Sequence, residues 1–204
     1  MIKISYAITA HNEHEELERL LDQLDENITD YDEVVLQLDS SATEEVRGVS
    51  KKYSYVKVTE FPLNKDFSSF KNNLKTNCTG DWIFQIDADE SLDPWLIQNL
   101  PGILDQNHET EVFIVPRINT VDGLTEEHVT KWGWRVNEMG WVNFPDWQTR
   151  ILKNVPNIFW KNKVHEVLTG QTRYSFFPQD QEFCILHHKT IDRQENQNAY
   201  YNTI

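Results

Sequence analysis

The chain has 204 residues, 39% of them hydrophobic and 25% charged, with 19 basic against 33 acidic side chains for a formal charge of −14. That length suffices for one well-filled core, and seven Gly with seven Pro are too few for a disordered or fibrous chain. The negative balance disfavours a broad electrostatic grip on nucleic acid or an anionic membrane, while leaving room for a local basic groove.

Ile2 to Ala10 reads as a buried strand that runs into Ala10-His11-Asn12-Glu13. A helix follows with Leu17, Leu20, Leu21 and Leu24 on one face. Glu33 to Leu38 is a second strand, ending at Asp39-Ser40-Ser41, and a helix from about Thr43 to Lys52 comes next. Val56 to Phe61 is a third strand, and Phe67, Phe70 and Leu74 stripe another helix. Trp82 to Ile86 is the fourth strand, Pro94 suits the first turn of the next helix, and Glu111 to Val115 is the fifth strand. Strands alternating with helices predict parallel pairing through right-handed crossovers. The polar strand ends at Asn12, Asp39 and Asp87 then share one edge of the sheet. After about residue 117 the pattern changes. Trp132, Trp134, Trp141 and Trp147 crowd among Gly133, Gly140 and Pro145. This stretch reads as an ordered loop or small antiparallel insertion over the open edge of a core ending near residue 120. Its indoles are a second small core or, alternatively, platforms for sugar rings.

No stretch approaches the ~20 apolar residues of a membrane span. Met1-Ile2-Lys3-Ile4-Ser5 lacks the basic start and apolar run of a signal peptide. A cytoplasmic protein without a membrane anchor is expected, with Cys78 and Cys184 as reduced thiols in the core or half-buried.

The run Gly80-Asp81-Trp82-Ile83-Phe84-Gln85-Ile86-Asp87-Ala88-Asp89-Glu90 carries the most chemistry. A short strand stops abruptly in three acids, where ligands bind at the carboxyl edge of parallel sheets. Asp87 and Asp89 are two apart, so in extended backbone both lean to one side. Two such carboxylates suit Mg²⁺ or Mn²⁺ carrying a diphosphate; the plainer reading is an acidic turn after a core strand.

This run resembles the Gly-Asp-Trp-Ile segment with Asp-Ala-Asp-Glu of glycosyltransferase family 2, the inverting enzymes of the GT-A fold. Ile4 to Glu13 is similar to that family's first strand and Asn-Glu turn, and Asp39-Ser40-Ser41 to the Asp-Ser after its second strand. Phe70-Lys71-Asn72-Asn73-Leu74 resembles its Ala-Arg-Asn-x-Gly helix, with Lys71 in place of Arg. Pro145 to Ile151, within Trp141-Val142-Asn143-Phe144-Pro145-Asp146-Trp147-Gln148-Thr149-Arg150-Ile151, resembles a Pro-Asp-x-Gln-x-Arg-Leu block of the branch containing lipopolysaccharide-core glucosyltransferases. Val164-His165-Glu166 resembles its His-Glu segment. The likeness covers roughly residues 2 to 190.

The resemblance implies an α/β fold of GT-A, Rossmann-like type. Its sheet is mixed and mainly parallel, flanked by helices, with the Trp-rich C-terminal segment over the active-site edge. It implies one domain over 1–204, with 1–117 binding the nucleotide sugar and 118–204 serving acceptor and catalysis. The implied reaction is metal-dependent transfer, with inversion, of a sugar from a UDP-sugar to an acceptor hydroxyl. Asp89 is then the ligand of Mn²⁺ or Mg²⁺ on the diphosphate, and Asp87 binds ribose or reaches the metal through water. His187 is the metal candidate among the late histidines His165, His187 and His188. Asp39 meets the base, Thr9, Ala10 and Glu13 line its pocket, and Lys71 and Arg150 serve the donor. Asp146 is the first candidate for the catalytic base and Glu166 the second; such a base works best when burial raises its pKa. Structural partners or loop caps are the plainer roles for Asp146 and Arg150. The acceptor is open: a glycan, a lipid-linked sugar, a protein side chain, a small molecule or a modified nucleobase. A nucleotidyltransferase is the competing enzyme, but Ala10-His11-Asn12-Glu13 has no glycine for a phosphate loop. A non-catalytic sugar- or nucleotide-binding module is the third reading, disfavoured by the presence of both Asp87 and Asp89.

Overall fold

The computed structural model describes residues 2–201. In chain order it has β1 (Ile4–Ala10), α1 (His14–Asn27), β2 (Glu33–Asp39), α2 (Glu44–Ser50), β3 (Val56–Phe61), α3 (Phe67–Thr76) and β4 (Trp82–Asp87). There follow β5 (Glu90–Leu92), α4 (Pro94–Gln106), β6 (Val112–Asp122), α5 (Glu126–Trp132) and β7 (Val142–Lys153). The chain closes with β8 (Phe159–Lys161), β9 (Val167–Thr169), β10 (Tyr174–Phe176), β11 (Ile185–Thr190) and α6 (Ile191–Tyr201).

Local chemistry sets the helix starts. Thr43, Asp66 and Asp93 each accept a backbone N–H at the start of α2, α3 and α4, and Pro94 occupies the first turn of α4. In α1 the leucines at 17, 20, 21 and 24 are all fully buried. They pack with α2 and α4 on one face of the sheet, against Ile4, Tyr6 and Ile8 of β1. The other face of β1 gives Ala7 to a smaller cluster with Val35, Leu74 of α3, Ile83, Leu152 and Trp160. The sheet is therefore buried on both sides, and its central strands are apolar on both faces.

The main sheet runs β3-β2-β1-β4-β7-β6-β11-β5, with β10 added beside β6. β1 pairs parallel with β2 and β4, and β2 with β3. β7 runs antiparallel between β4 and β6, while β11 is parallel to β6. The outcome is a mixed, mainly parallel sheet flanked by helices. Thr9 stands beside both Gln37 and Asp87, so Asp39 and Asp87 finish on the same edge. At the start of β4, Gly80 lies so close to β1 that a Cβ would sit 2.7 Å from both the Ser5 nitrogen and Ser5 Oγ. Only glycine fits there.

Beyond α5, α6 and β8 to β11, for which the sequence carries no separate expectation, three differences stand out. The fifth predicted strand continues to Asp122. The short β5 was not anticipated at all. The Trp-rich stretch is neither a loop nor a separate insertion throughout, because from Val142 it becomes a 12-residue strand of the main sheet. Its alternation is masked because Asp146, Gln148 and Arg150 line a cleft, where polar side chains replace apolar ones. The sheet core thus extends well past residue 120.

Candidate active site

The carboxyl ends of β1, β2 and β4 and the middle of β7, β6 and β11 floor a cleft of about 730 Å³, within the usual range for small-molecule sites. Its lining includes Thr9, Ala10, Glu13 and Asp39 at one end, Asp87, Asp89 and Arg150 centrally, and Asp146 and His187 beyond them.

At the centre Arg150 is buried, and its Nη2 donates to Asp87 Oδ2 at 2.6 Å and to Glu90 Oε1 at 2.7 Å. Burial works against charge on Asp87, but Arg150, with Lys71 and Arg117 behind it, outweighs that and holds its carboxyl well below the usual range. Asp87 Oδ1 accepts the Thr9 hydroxyl at 3.1 Å. Glu90 Oε2 accepts the Asp87 backbone N–H at 2.9 Å, fixing the turn that carries both aspartates.

Asp89 faces β11. His187 Nε2 lies 3.2 Å from Asp89 Oδ2, and Arg193 of α6 reaches the same oxygen at 3.3 Å and Glu13 at 3.4 Å. Desolvation pushes the Asp89 pKa up, yet His187 and Arg193 bring the balance below its ordinary value. Glu13 also accepts the backbone N–H groups of His11 and Asn12, which secures the turn after β1.

Asp146 sits one strand further along. Arg117 Nε and Nη2 donate to its Oδ2 at 2.9 and 2.7 Å, Asn119 Nδ2 joins them at 2.8 Å, and Gln148 Nε2 donates to Oδ1 at 2.7 Å. Burial raises the Asp146 pKa, but the guanidinium of Arg117 and the amide donors reverse the sign and lower it. On balance the Asp146 pKa is therefore not raised, whereas a base at this position would work best with a raised one. The partner of Asp146 is Arg117, not Arg150.

Glu166 comes from the turn between β8 and β9 and forms an ion pair with Lys71 of α3. The Lys71 ammonium lies 4.5 Å from the Trp160 ring centroid. Of the remaining late histidines, His165 is exposed on the cleft wall, and His188 turns outward to Thr120 and Asp122.

Among the described residues no three His, Cys, Asp or Glu side chains converge to hold a metal on protein ligands alone. Asp89 with His187 still fits a divalent cation that completes its shell with phosphate oxygens and water, the habit of Mg²⁺ at nucleotide sites. One hard carboxylate and one imidazole meet at 3.2 Å on a cleft wall, and the donor set suits Mn²⁺ or Mg²⁺.

The sequence matches the glycosyl transferase family 2 profile over residues 5–187. The chain belongs to this family. No curated protein matches the sequence. Among solved structures it is similar to S. aureus TarS 1-349 in complex with UDP, with a TM-score of 0.65 at 14% identity over 92% of this chain and 60% of that one. The TarS 1-349 complex with UDP-GlcNAc gives 0.64 at 14% identity over 92% and 59%. Full TarS gives 0.64 at 14% identity over 97% of this chain and 38% of that one. The chain thus spans about 60% of the TarS 1-349 length. These likenesses establish the GT-A fold.

In this family 2 chain the candidate site residues read from the sequence, His188 excepted, lie on the one cleft. Sequence reasoning missed Arg117 and Asn119, and it named Glu90 among the acids without a role; all three hold the other acids in place. A period-2 reading of Val115, Arg117 and Asn119 would have put the two polar residues on one face of β6. Of the four clustered tryptophans, Trp134 lines the cleft. Trp132 packs on Trp134, Trp141 on Phe144, and Trp147 on Phe176.

Proposed function

We propose that the chain transfers a sugar from a nucleoside diphosphate donor, UDP first, to an acceptor hydroxyl with inversion. The observation that carries this reading is the ordered spread of three acids across adjoining strands of one cleft. Asp87 is neutralised by Arg150, Asp89 faces His187, and Asp146 is held ionised by Arg117, Asn119 and Gln148.

Residues 1–117 form the donor half in this reading. Asp39, Thr9, Ala10 and Glu13 border the nucleoside, and Asp87 takes the ribose or reaches the cation through water. Lys71 and Arg150 supply positive charge toward the diphosphate, Arg150 doing so largely from behind Asp87. Asp89 and His187 would hold Mn²⁺ or Mg²⁺, which when bound stabilises the departing diphosphate as a Lewis acid. UDP-bound TarS supports UDP as the first donor to test.

Residues 118–204 supply the acceptor and catalytic half. Asp146 Oδ2 already accepts three donors, whereas Oδ1 accepts one, so Oδ1 retains a lone pair. The acceptor hydroxyl gives its proton to Oδ1 as its oxygen bonds the anomeric carbon and the bond to the diphosphate breaks. Glu166 is the second candidate, weakened by its pairing with Lys71. The Pro-Asp-x-Gln-x-Arg block favours a lipopolysaccharide-core-like branch and hence a glycan acceptor, and the charge of −14 weighs against DNA.

Calorimetry of UDP with Mn²⁺, repeated with a chelator, tests the donor site, and a screen of UDP-sugars for hydrolysis and product anomer tests the reaction. Equal UDP affinity in both conditions would count against the metal bridge. Retention of anomeric configuration would remove inversion.

A further inference from the structure

Asn119 lies on β6 between the two groups that the proposed reaction uses most. Its Cα is paired with Val142 of β7 on one side and His187 of β11 on the other. Its Nδ2 donates to Asp146 Oδ2 at 2.8 Å, and its Oδ1 is 2.7 Å from His187 Nδ1. The chemistry of the partners fixes which end of the amide is which. An ionised Asp146 only accepts, so the NH₂ end must face it, and the carbonyl end must face the imidazole. A carbonyl also only accepts. His187 Nδ1 therefore carries a hydrogen, and Nε2 is the atom turned toward Asp89 Oδ2 at 3.2 Å. Nε2 is thus the ring atom that would share a cation with Asp89, whose Oδ2 also has Arg193 Nη2 at 3.3 Å.

We propose that Asn119 is a positioning residue joining the two halves of the site. Through Oδ1 it presents His187 Nε2, with Asp89, to a divalent cation; through Nδ2 it orients Asp146 so that Oδ1 faces the acceptor. This inference rests on the proposed roles of Asp89, His187 and Asp146. A purely structural Asn119 would only complete hydrogen bonding in the sheet.

Two near-isosteric variants separate these roles. Asn119→Asp keeps an oxygen acceptor for His187 Nδ1–H but removes the donor to Asp146. Asn119→Leu removes both contacts. Binding of Mn²⁺ in the presence of UDP is followed by electron paramagnetic resonance, and turnover by hydrolysis of whichever of UDP-glucose and UDP-N-acetylglucosamine the wild-type protein consumes. Asn119→Leu is expected to lose about 10- to 100-fold in Mn²⁺ affinity, the usual effect of removing a partner that orients a metal ligand. Asn119→Asp is expected to hold Mn²⁺ within a few fold of wild type while its kcat falls at least tenfold. If Asn119→Leu does not fold, that split in Asn119→Asp decides alone. Wild-type Mn²⁺ affinity in a folded Asn119→Leu overturns the inference, as does a parallel loss or no loss of both quantities in Asn119→Asp. Asp89→Asn in the same assay separates the failures. If it abolishes Mn²⁺ binding while Asn119→Leu does not, only the role of Asn119 falls; if it too binds normally, the metal reading falls and takes this inference with it.

Discussion

Asp89 and Asp146 differ in what surrounds them, and that difference makes their roles separable. Asp89 touches an imidazole and the guanidinium of Arg193, whereas Asp146 is clasped by a guanidinium and two amides. Asp89→Asn is expected to weaken metal-dependent UDP binding and turnover together. Asp146→Asn is expected to leave UDP and Mn²⁺ binding nearly intact and to cut kcat by roughly 10²-fold or more, the usual size of a general-base contribution. Full transfer by Asp146→Asn would move the base to Glu166. The ionisation of these acids also reaches stability. Arg117 lowers the Asp146 pKa in the folded state, and Arg150 does the same for Asp87. A carboxyl whose folded pKa lies under its unfolded value stabilises the fold fully above that unfolded value. The contribution fades as pH falls through the folded one. The urea midpoint is therefore expected to drop below about pH 4, and Arg117→Gln is expected to flatten that dependence. Both aspartates are only partly buried, so solvent screens part of the effect.

At the scale of elements, the β8–β9 hairpin forms a wall of the cleft without joining the main sheet. It is tied to α3 through Asn72, whose Nδ2 donates to the Trp160 carbonyl at 2.8 Å and whose Oδ1 accepts the Trp160 N–H at 2.9 Å. Lys71, one residue earlier, reaches Glu166 and the Trp160 ring. The backbone of this turn takes left-handed angles at Asn162 and His165, a conformation that non-glycine residues hold only when surrounding contacts impose it. Asn72→Ala is expected to cost about 1–3 kcal/mol, because it leaves partly buried backbone groups without partners. Hydrogen exchange read across residues 159–169 is expected to rise selectively, with β1 to β4 unchanged. A uniform rise over the whole sheet would show instead that the hairpin is part of the cooperative core.

At the scale of the molecule, a donor and cation held as proposed would bind only the folded cleft and so stabilise the fold by mass action. With Mn²⁺ present, UDP at a hundredfold its Kd is expected to add about 2.7 kcal/mol to unfolding. The rise in melting temperature is expected to vanish with a chelator and with Asp89→Asn. A shift that survives chelation would mean that UDP is held without the cation. None of the described helices is long and apolar enough to cross a membrane.

The first half of this architecture was legible in the sequence because its signals are local. Strands buried on both faces leave apolar runs, α1 leaves its leucine stripe, and Asp39 and Asp87 mark where strands stop at a ligand-binding edge. The Gly80–Glu90 run and the Asp146–Arg150 block named the acids by resemblance. Tertiary structure alone decided how those acids are employed. Antiparallel β7, inserted between β4 and β6, brings Arg150 to Asp87 and Glu90 across 63 and 60 residues of chain. β11 brings His187 to Asp89 across 98. Period and propensity report each residue's neighbours along the chain. The charge state of Asp87, the partner of Asp146 and the direction of the His187 ring depend on neighbours across strands, and only the strand order of the folded sheet supplies those.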